Sequence, residues 1–380
     1  MLKISLRKAS AFLAIIIMFC LFLFPKSVAA ADMGLTISAE AAVLLDWNSG
    51  RILYARKPHL PKPMASTTKI MTAILALEMG TLDELVVTSP RAASTGGSSI
   101  WLEEGEEKTL EELLYGLMLR SGNDAAVAIA EHIAGKENSF AEIMTRRARD
   151  LGARNTSFRN PHGLHHEEHY TTAYDLSLIA AHAMGISKFK EIITTDHIII
   201  SWPGHPWDRH LYNQNRLLEI YQGAEGIKTG WTTPAGRCFV GAATREGRRL
   251  VVVLLNAPQM WEDTIKLLDY GFDSFTYQQL IDGGQHLKTI PVLNCQAGKV
   301  TVMAARPFVY PMQAGEEGKV SYRFVVSDSL QAPLRAGERI GELEILFERE
   351  LIGLVDLVTV EEVKILTLWQ RIKRMMGRGV

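Results

Sequence analysis

The sequence predicts an α+β protein: an antiparallel sheet flanked by helices, followed by a small all-β domain and a terminal amphipathic helix. Three observations carry this. Hairpin-like runs stand near residues 43–54 and 237–256, runs of helical spacing fill the stretch between them, and short strand-like runs between glycine and proline turns take over from about His286. The 380 residues are 47% hydrophobic and 22% charged, enough apolar material for a core, and the length favours two domains over one.

At the start, Lys3, Arg7 and Lys8 precede an uncharged stretch from Ala9 to Pro25 and the small residues Val28-Ala-Ala-Ala31. This reads as a secretory signal peptide cleaved after Ala29 or Ala31, with an uncleaved membrane anchor as the alternative. Cleavage removes Lys3, Arg7, Lys8 and Lys26 and no acidic residue, leaving a mildly acidic chain outside the cytoplasm. Residues 43–46 and 51–54 flank Trp47-Asn-Ser-Gly50 as an early hairpin. After Pro61 and Pro63, residues 66–79 carry Ile70, Ala73, Ile74 and Leu77 at helical intervals and stop at Gly80, a natural C′ residue. Further helices are expected over 110–120, 124–134, 139–151 and 172–184. Residues 237–244 and 249–256 surround Arg245-Glu-Gly-Arg248, a strong hairpin signal, and a helix over 264–270 closes the unit.

Beyond Gly283-Gly284, the expected joint, residues 320–326 and 343–347 read as strands of the all-β domain. Residues 363–376, wound at 100° per residue, place Ile365, Leu368, Trp369, Ile372, Met375 and Met376 on one face and Lys364, Arg371, Arg374 and Arg378 on another. That pattern suits a membrane surface; a helix docked on its own domain is the alternative. The expected division is thus signal peptide 1–31, catalytic domain 32–284, β-rich domain 285–360 and membrane-associating helix 361–380.

Charge and cysteine content exclude several functions. Forty-one basic against 42 acidic residues give a net charge of −1 and no footprint for nucleic acid. Cys20, Cys238 and Cys295 allow neither a disulfide framework nor a cysteine metal site of usual spacing. His162, His165, His166 and His169 crowd together, but without the spacing or helix that aligns ligands, so no metal and no cofactor is expected. Cys238 reads as a small core residue and Asp175 as a cap or buttress of the helix after it.

Chemistry concentrates in three triplets. Ser66-Thr-Thr-Lys69 places a hydroxyl and an amine on one helix face, where a lysine of lowered pKa can take the serine proton. Alone it is ordinary capping. Ser121-Gly-Asn123 joins two helices and Lys228-Thr-Gly230 lies on a strand whose glycines admit a ligand along its edge; alone each is a common turn or tripeptide. Together, in the order S-x-x-K, S-x-N, K-T-G, they are the signature of penicillin-binding proteins and β-lactamases.

From about Ala39 to the C-terminus the sequence resembles the low-molecular-weight penicillin-binding proteins that act as serine-type D-alanyl-D-alanine carboxypeptidases. The segments Asn160-Pro-His-Gly-Leu164, His169-Tyr-Thr-Thr-Ala-Tyr-Asp175, Asn213-Gln-Asn-Arg-Leu217, Gly226-Ile-Lys-Thr-Gly-Trp-Thr232 and Leu267-Leu-Asp-Tyr-Gly-Phe272 follow in family order. The resemblance implies a β-lactamase/penicillin-binding-protein-like sheet and action on peptidoglycan stem peptides ending in D-Ala-D-Ala, with β-lactam antibiotics as acylating ligands. It implies that Ser66 attacks the carbonyl between the two D-alanines, Lys69 acts as base, Ser121 protonates the departing amine and Asn123 bonds the substrate amide and Lys69. It further implies that Lys228 lowers the Lys69 pKa and attracts the substrate carboxylate, that Thr229 and Thr232 offer it hydroxyls, that the N–H groups of Ser66 and Trp231 form an oxyanion hole, and that the substrate pairs along the Lys228 to Thr232 strand. One departure stands out: where many relatives carry a carboxylate-binding arginine this chain reads Gln259-Met-Trp-Glu262, and Arg237 is the candidate substitute. A β-lactamase, a D,D-endopeptidase and an inactive cell-wall binding protein of the same fold are the competing readings.

Overall fold

The computed structural model describes residues 35–376; the expected signal peptide lies outside them. The chain divides into two compact units, one ending at Gly271 and one beginning at Phe272. The first is built on a five-stranded antiparallel sheet of order β2-β1-β9-β8-β7. Its strands are β1 (Ala41–Asp46), β2 (Ile52–Arg56), β7 (Ala224–Thr232), β8 (Gly236–Arg245) and β9 (Arg248–Leu255). Both expected hairpins are present: β1 pairs with β2, and β8 with β9 through the register Arg245↔Arg248. Glu246 and Gly247 both have positive φ, the twist that matches a two-residue hairpin to its strands. β1 then pairs along its whole length with β9, from Ala41↔Leu255 to Asp46↔Leu250.

Strand periodicity sorts the core into two layers. Val43, Leu45, Val251 and Val253 face one way and join the main apolar cluster with the helices α1 (Lys69–Met79), α2 (Leu110–Leu119), α3 (Asn123–Ala134), α4 (Glu137–Asp150), α5 (Ala173–Ala183) and α6 (Ser187–Thr194). Leu44 and Leu250 face the other way, toward α7 (Met260–Ser274). There a Cβ on Gly271 would come within 2.6 Å of Leu250 and 2.7 Å of Leu44, so the glycine sets how closely α7 lies on the sheet. Two small hairpins complete the unit: β3 (Leu85–Val87) with β4 (Glu107–Thr109), and β5 (His197–Ile200) with β6 (Arg209–Tyr212).

Local chemistry explains the boundaries that differ from expectation. α1 starts at Lys69, because residues Ala65–Thr68 form a 3-10 turn in which Thr67 and Thr68 hydroxyls bond the carbonyls of Met64 and Ala65. Gly80 ends α1 in an extended conformation (φ −101°), not a left-handed one; a Cβ there would strike Leu110 Cδ2 at 2.3 Å, so packing is the reason for the glycine.

The second unit holds a six-stranded sheet of order β14-β16-β17-β12-β11-β15 around its own core of Ile290, Val300, Val302, Ile345, Val355 and Leu357. These strands are β11 (His286–Leu293), β12 (Lys299–Ala304), β14 (Val320–Val326), β15 (Leu330–Gln331), β16 (Arg339–Phe347) and β17 (Glu350–Thr359). A separate pair, β10 (Thr276–Ile281) with β13 (Phe308–Met312), places the start of the unit ahead of Gly283-Gly284. The terminal helix α8 is Leu368–Met376 among the described residues; it starts later than residue 361, because Val363 and Leu366 are buried and Val363 bridges Leu334.

Candidate active site

The first unit carries a cleft of about 450 Å³ lined by Ser66, Ser121, Thr229, Gly230, Trp231 and Arg237, together with Ser98, Gln214, Met260 and Trp261. The three triplets meet here. Ser66 is on the turn before α1, Ser121 on the α2–α3 connection, and Gly230 on β7, the edge strand of the sheet. A Cβ on Gly230 would stand 2.9 Å from Ser66 N and 3.1 Å from Thr67 N, so only glycine lets the strand approach the serine turn this closely.

Beneath Ser66, Lys69 is fully buried. Its Nζ donates to Asn123 Oδ1 and to the His162 carbonyl, both at 2.7 Å, and stands 3.1 Å from Ser66 Oγ. Burial and the charge of Lys228 hold the Lys69 pKa well below its ordinary value, against the opposing pull of Asp124. A neutral amine has two hydrogens and one lone pair. When Lys69 is neutral and both hydrogens are taken by Asn123 and the His162 carbonyl, its lone pair is the part left for the serine hydroxyl. Lys228, also buried, is pushed down to about 7 by loss of hydration and donates to the Thr229 carbonyl.

The α2–α3 connection is strained. Ser121 adopts φ +62°, and its buried hydroxyl has no hydrogen-bond partner among the described residues. Asn123 is pinned to the loop that carries Ser98: its Nδ2 donates to the Gly96 carbonyl at 2.7 Å and its N–H to the Ser98 carbonyl at 2.7 Å. Asp124, whose role the sequence did not reveal, receives the N–H groups of Ile100 and Leu102 and the hydroxyl of Ser99, fixing the loop that forms the Ser98 wall.

The Asn160-Pro-His-Gly163 loop is clamped on the serine turn from the other side. Asn160 Oδ1 accepts from Gly163 N, Thr72 donates to the Pro161 carbonyl, and Gly163, at φ +90°, would place a Cβ 1.9 Å from the Ala65 carbonyl. His169, pushed down to about 3 by burial, is neutral; its Nδ1 accepts from Arg159 N, so Nε2–H faces Thr68 Oγ1 at 2.7 Å. His162 is likewise lowered by burial, with Nδ1 accepting from Leu164 N and Nε2 3.5 Å from Glu137. Among the described residues no group of three or more His, Cys, Asp or Glu is arranged to hold a metal ion.

The remaining expected residues divide. Thr229 and the Trp231 ring, 65% exposed, line the cleft, and Arg237 is the ladder partner of Trp231 on β8. Thr232 instead closes the β7–β8 turn, its Oγ1 accepting from Ala235 N. Trp261 packs edge-on against Phe239 at the rim. Cys238 is fully buried with its thiol pushed up to about 11 by desolvation, an inert core residue. Asp175 braces Asn155 N and the Thr156 hydroxyl, while Thr172 caps α5. Ser98, Gln214 and Met260 went unnoticed in the sequence, although Gln214 sits within the quoted Asn213-Gln-Asn segment.

Comparison with known proteins decides the family. Residues 26–259 match the D-alanyl-D-alanine carboxypeptidase family, and residues 275–365 match the C-terminal domain of penicillin-binding protein 5. The chain belongs to the D-alanyl-D-alanine carboxypeptidase family. D-alanyl-D-alanine carboxypeptidase DacF of Bacillus subtilis is 33% identical over 350 residues, covering 89% of each chain. DacD of Escherichia coli is 29% identical over 346 residues, 86% of this chain and 87% of that one. Among solved structures, penicillin-binding protein 5 of Haemophilus influenzae superposes with a TM-score of 0.71 at 28% identity, covering 87% of this chain and 98% of that chain. The peptidoglycan synthesis regulatory factor PBP3 of Streptococcus pneumoniae reaches 0.73 at 27%, covering 87% and 100%. As a member of this carboxypeptidase family the protein is a serine peptidase, a hydrolase with the penicillin-binding fold.

Proposed function

We propose that the protein removes the terminal D-alanine from peptidoglycan stem pentapeptides through an acyl-enzyme on Ser66. The observation that carries this is the Lys69 amine: buried, donating to Asn123 Oδ1 and the His162 carbonyl, and 3.1 Å from Ser66 Oγ, so that in its neutral form it turns its lone pair to that hydroxyl. Ser66 Oγ attacks the penultimate carbonyl carbon while its proton passes to Lys69. As the C–N bond breaks, Ser121, whose hydroxyl is unpaired by protein, relays that proton to the leaving amine of D-alanine. Water then hydrolyses the ester. The N–H groups of Ser66 and Trp231 receive the oxyanion, a reading supported by the close approach of the Gly230 strand to Ser66 N. β-Lactams acylate the same serine.

Substrate recognition follows from the edge strand. β7 offers its free edge to an extended peptide. Lys228 and Thr229 serve the terminal carboxylate, and Arg237 supplies the guanidinium that residues 259–262 lack: it is exposed at the cleft and has no acidic partner among the described residues. The carboxypeptidase works outside the cytoplasm after export, held at the membrane surface by α8. Leu368, Trp369 and Ile372 on that helix are exposed, which supports the reading, and no described helix is long and apolar enough to cross a membrane.

The test is release of free D-alanine from a soluble peptide ending in D-Ala-D-Ala. Turnover by the wild type that falls by several orders of magnitude in Ser66→Ala is expected. No release by folded wild type overturns the proposal.

A further inference from the structure

The cleft wall that carries Ser98 continues into a surface of exposed indoles. Trp101, 59% exposed, is held at φ +59°, with its N–H on Ser99 Oγ, which in turn donates to Asp124. Facing it, the β5–β6 connection presents Trp202 and Trp207, the latter 63% exposed. The two loops are tied together. His205 meets Glu103 at 2.7 Å, Trp202 Nε1 donates to the same carboxylate at 3.3 Å, and Arg209 donates to the Trp101 carbonyl at 2.6 Å. Arg209 is itself buried, paired with Glu106 and lying 4.2 Å from the Trp202 ring centroid. An internal ion pair therefore fixes two loops whose outward face is aromatic, and it does so beside the catalytic cleft. A left-handed backbone at a bulky aromatic costs free energy and persists only where its surroundings impose it.

We infer that this surface binds the glycan of the substrate, amino-sugar rings stacking on Trp101 and Trp207 while Glu103 and His205 meet hydroxyl and acetamido groups. The inference rests on peptidoglycan being the substrate, since a stem peptide in the cleft brings its own sugar with it. A pyranose has an apolar C–H face and a polar edge, and a fixed indole beside a carboxylate complements both. Charge argues against a lipid occupant: Glu103, Glu104, Glu107 and Asp208 lie on these loops or next to them in the chain, while the cations Lys108 and Arg209 are buried in pairs, a pattern that anionic headgroups avoid.

The test compares kcat/KM on a disaccharide pentapeptide with that on the same pentapeptide lacking sugar, and titrates tryptophan fluorescence with a β-1,4-linked N-acetylglucosamine tetrasaccharide. Wild type is expected to favour the sugar-bearing substrate by roughly fivefold. The pair Trp101→Ala and Trp207→Ala should bring that ratio to one and remove the fluorescence response, with turnover of the bare peptide unchanged; Phe at both positions should keep most of the preference. Equal kcat/KM for both substrates in wild type, tetrasaccharide binding unaltered in the double alanine variant, or loss of anionic-vesicle binding in its place would each overturn the inference. Should wild type cleave neither substrate, the carboxypeptidase reading fails, and the tetrasaccharide titration alone judges the surface.

Discussion

Two buried lysines have opposite requirements in the proposed mechanism. There Lys69 must be neutral to accept a proton, whereas Lys228 must be charged to attract a carboxylate. Burial lowers both, Lys69 well below its ordinary value and Lys228 to about 7. For kcat/KM, which reports the free enzyme, the expected profile is a bell. The acid limb is protonation of Lys69, and the alkaline limb, near pH 7, is loss of charge from Lys228. An ester substrate without the terminal carboxylate should lose the alkaline limb; a limb that persists would separate Lys228 from carboxylate binding. The same shifts act on stability. Each folded-state pKa lies below the unfolded 10.5, so the unfolded chain binds more protons, and for Lys228 stability rises with pH between about 7 and 10.5.

Two elements close on the serine turn, and their approach is set by residues without side-chain chemistry. Gly230 lets β7 meet the serine turn, and Gly163 lets the Asn160-Pro-His-Gly163 loop lie backbone to backbone on Ala65. Gly163→Ala combines a φ of +90° with a 1.9 Å clash, and is expected to cost about 2 to 3 kcal/mol and to slow acylation at least tenfold by moving the turn. Acylation by a β-lactam at the wild-type rate would show that the loop does not set the position of Ser66. What sequence could convey here was uneven. The S-x-x-K, S-x-N and K-T-G triplets announced their chemistry, because residue types at fixed spacing are a one-dimensional signal. Asp124 was silent, because its partners Ile100 and Leu102 are bound through backbone groups that any sequence offers. The Trp101–Arg209 contact was silent too, since it joins loops far apart in the chain.

At the scale of the whole molecule, the hydrophobic pattern conveyed the antiparallel sheet flanked by helices and both hairpins, but placed the start of the tail too early. Val363 and Leu366 read as part of an amphipathic helix, yet they are buried in the second unit, since periodicity records which residues are apolar and not what covers them. The truncation that tests membrane attachment should therefore remove residues 367–380 and leave Leu366 in place. That variant is expected to lose binding to anionic vesicles while cleaving soluble peptides at the wild-type rate. Undiminished vesicle binding would assign attachment to another part of the protein.

The β1–β9 pairing also governs how the molecule comes into being. The first strand of the sheet finds its partner some two hundred residues later, from Ala41↔Leu255 to Asp46↔Leu250. Closing so long a loop carries a large entropic barrier that nothing local repays until β9 exists, which makes for slow folding of high contact order. While the chain is being synthesised, the β1–β2 hairpin has its own partner, but the central sheet has no way to close until β9 emerges.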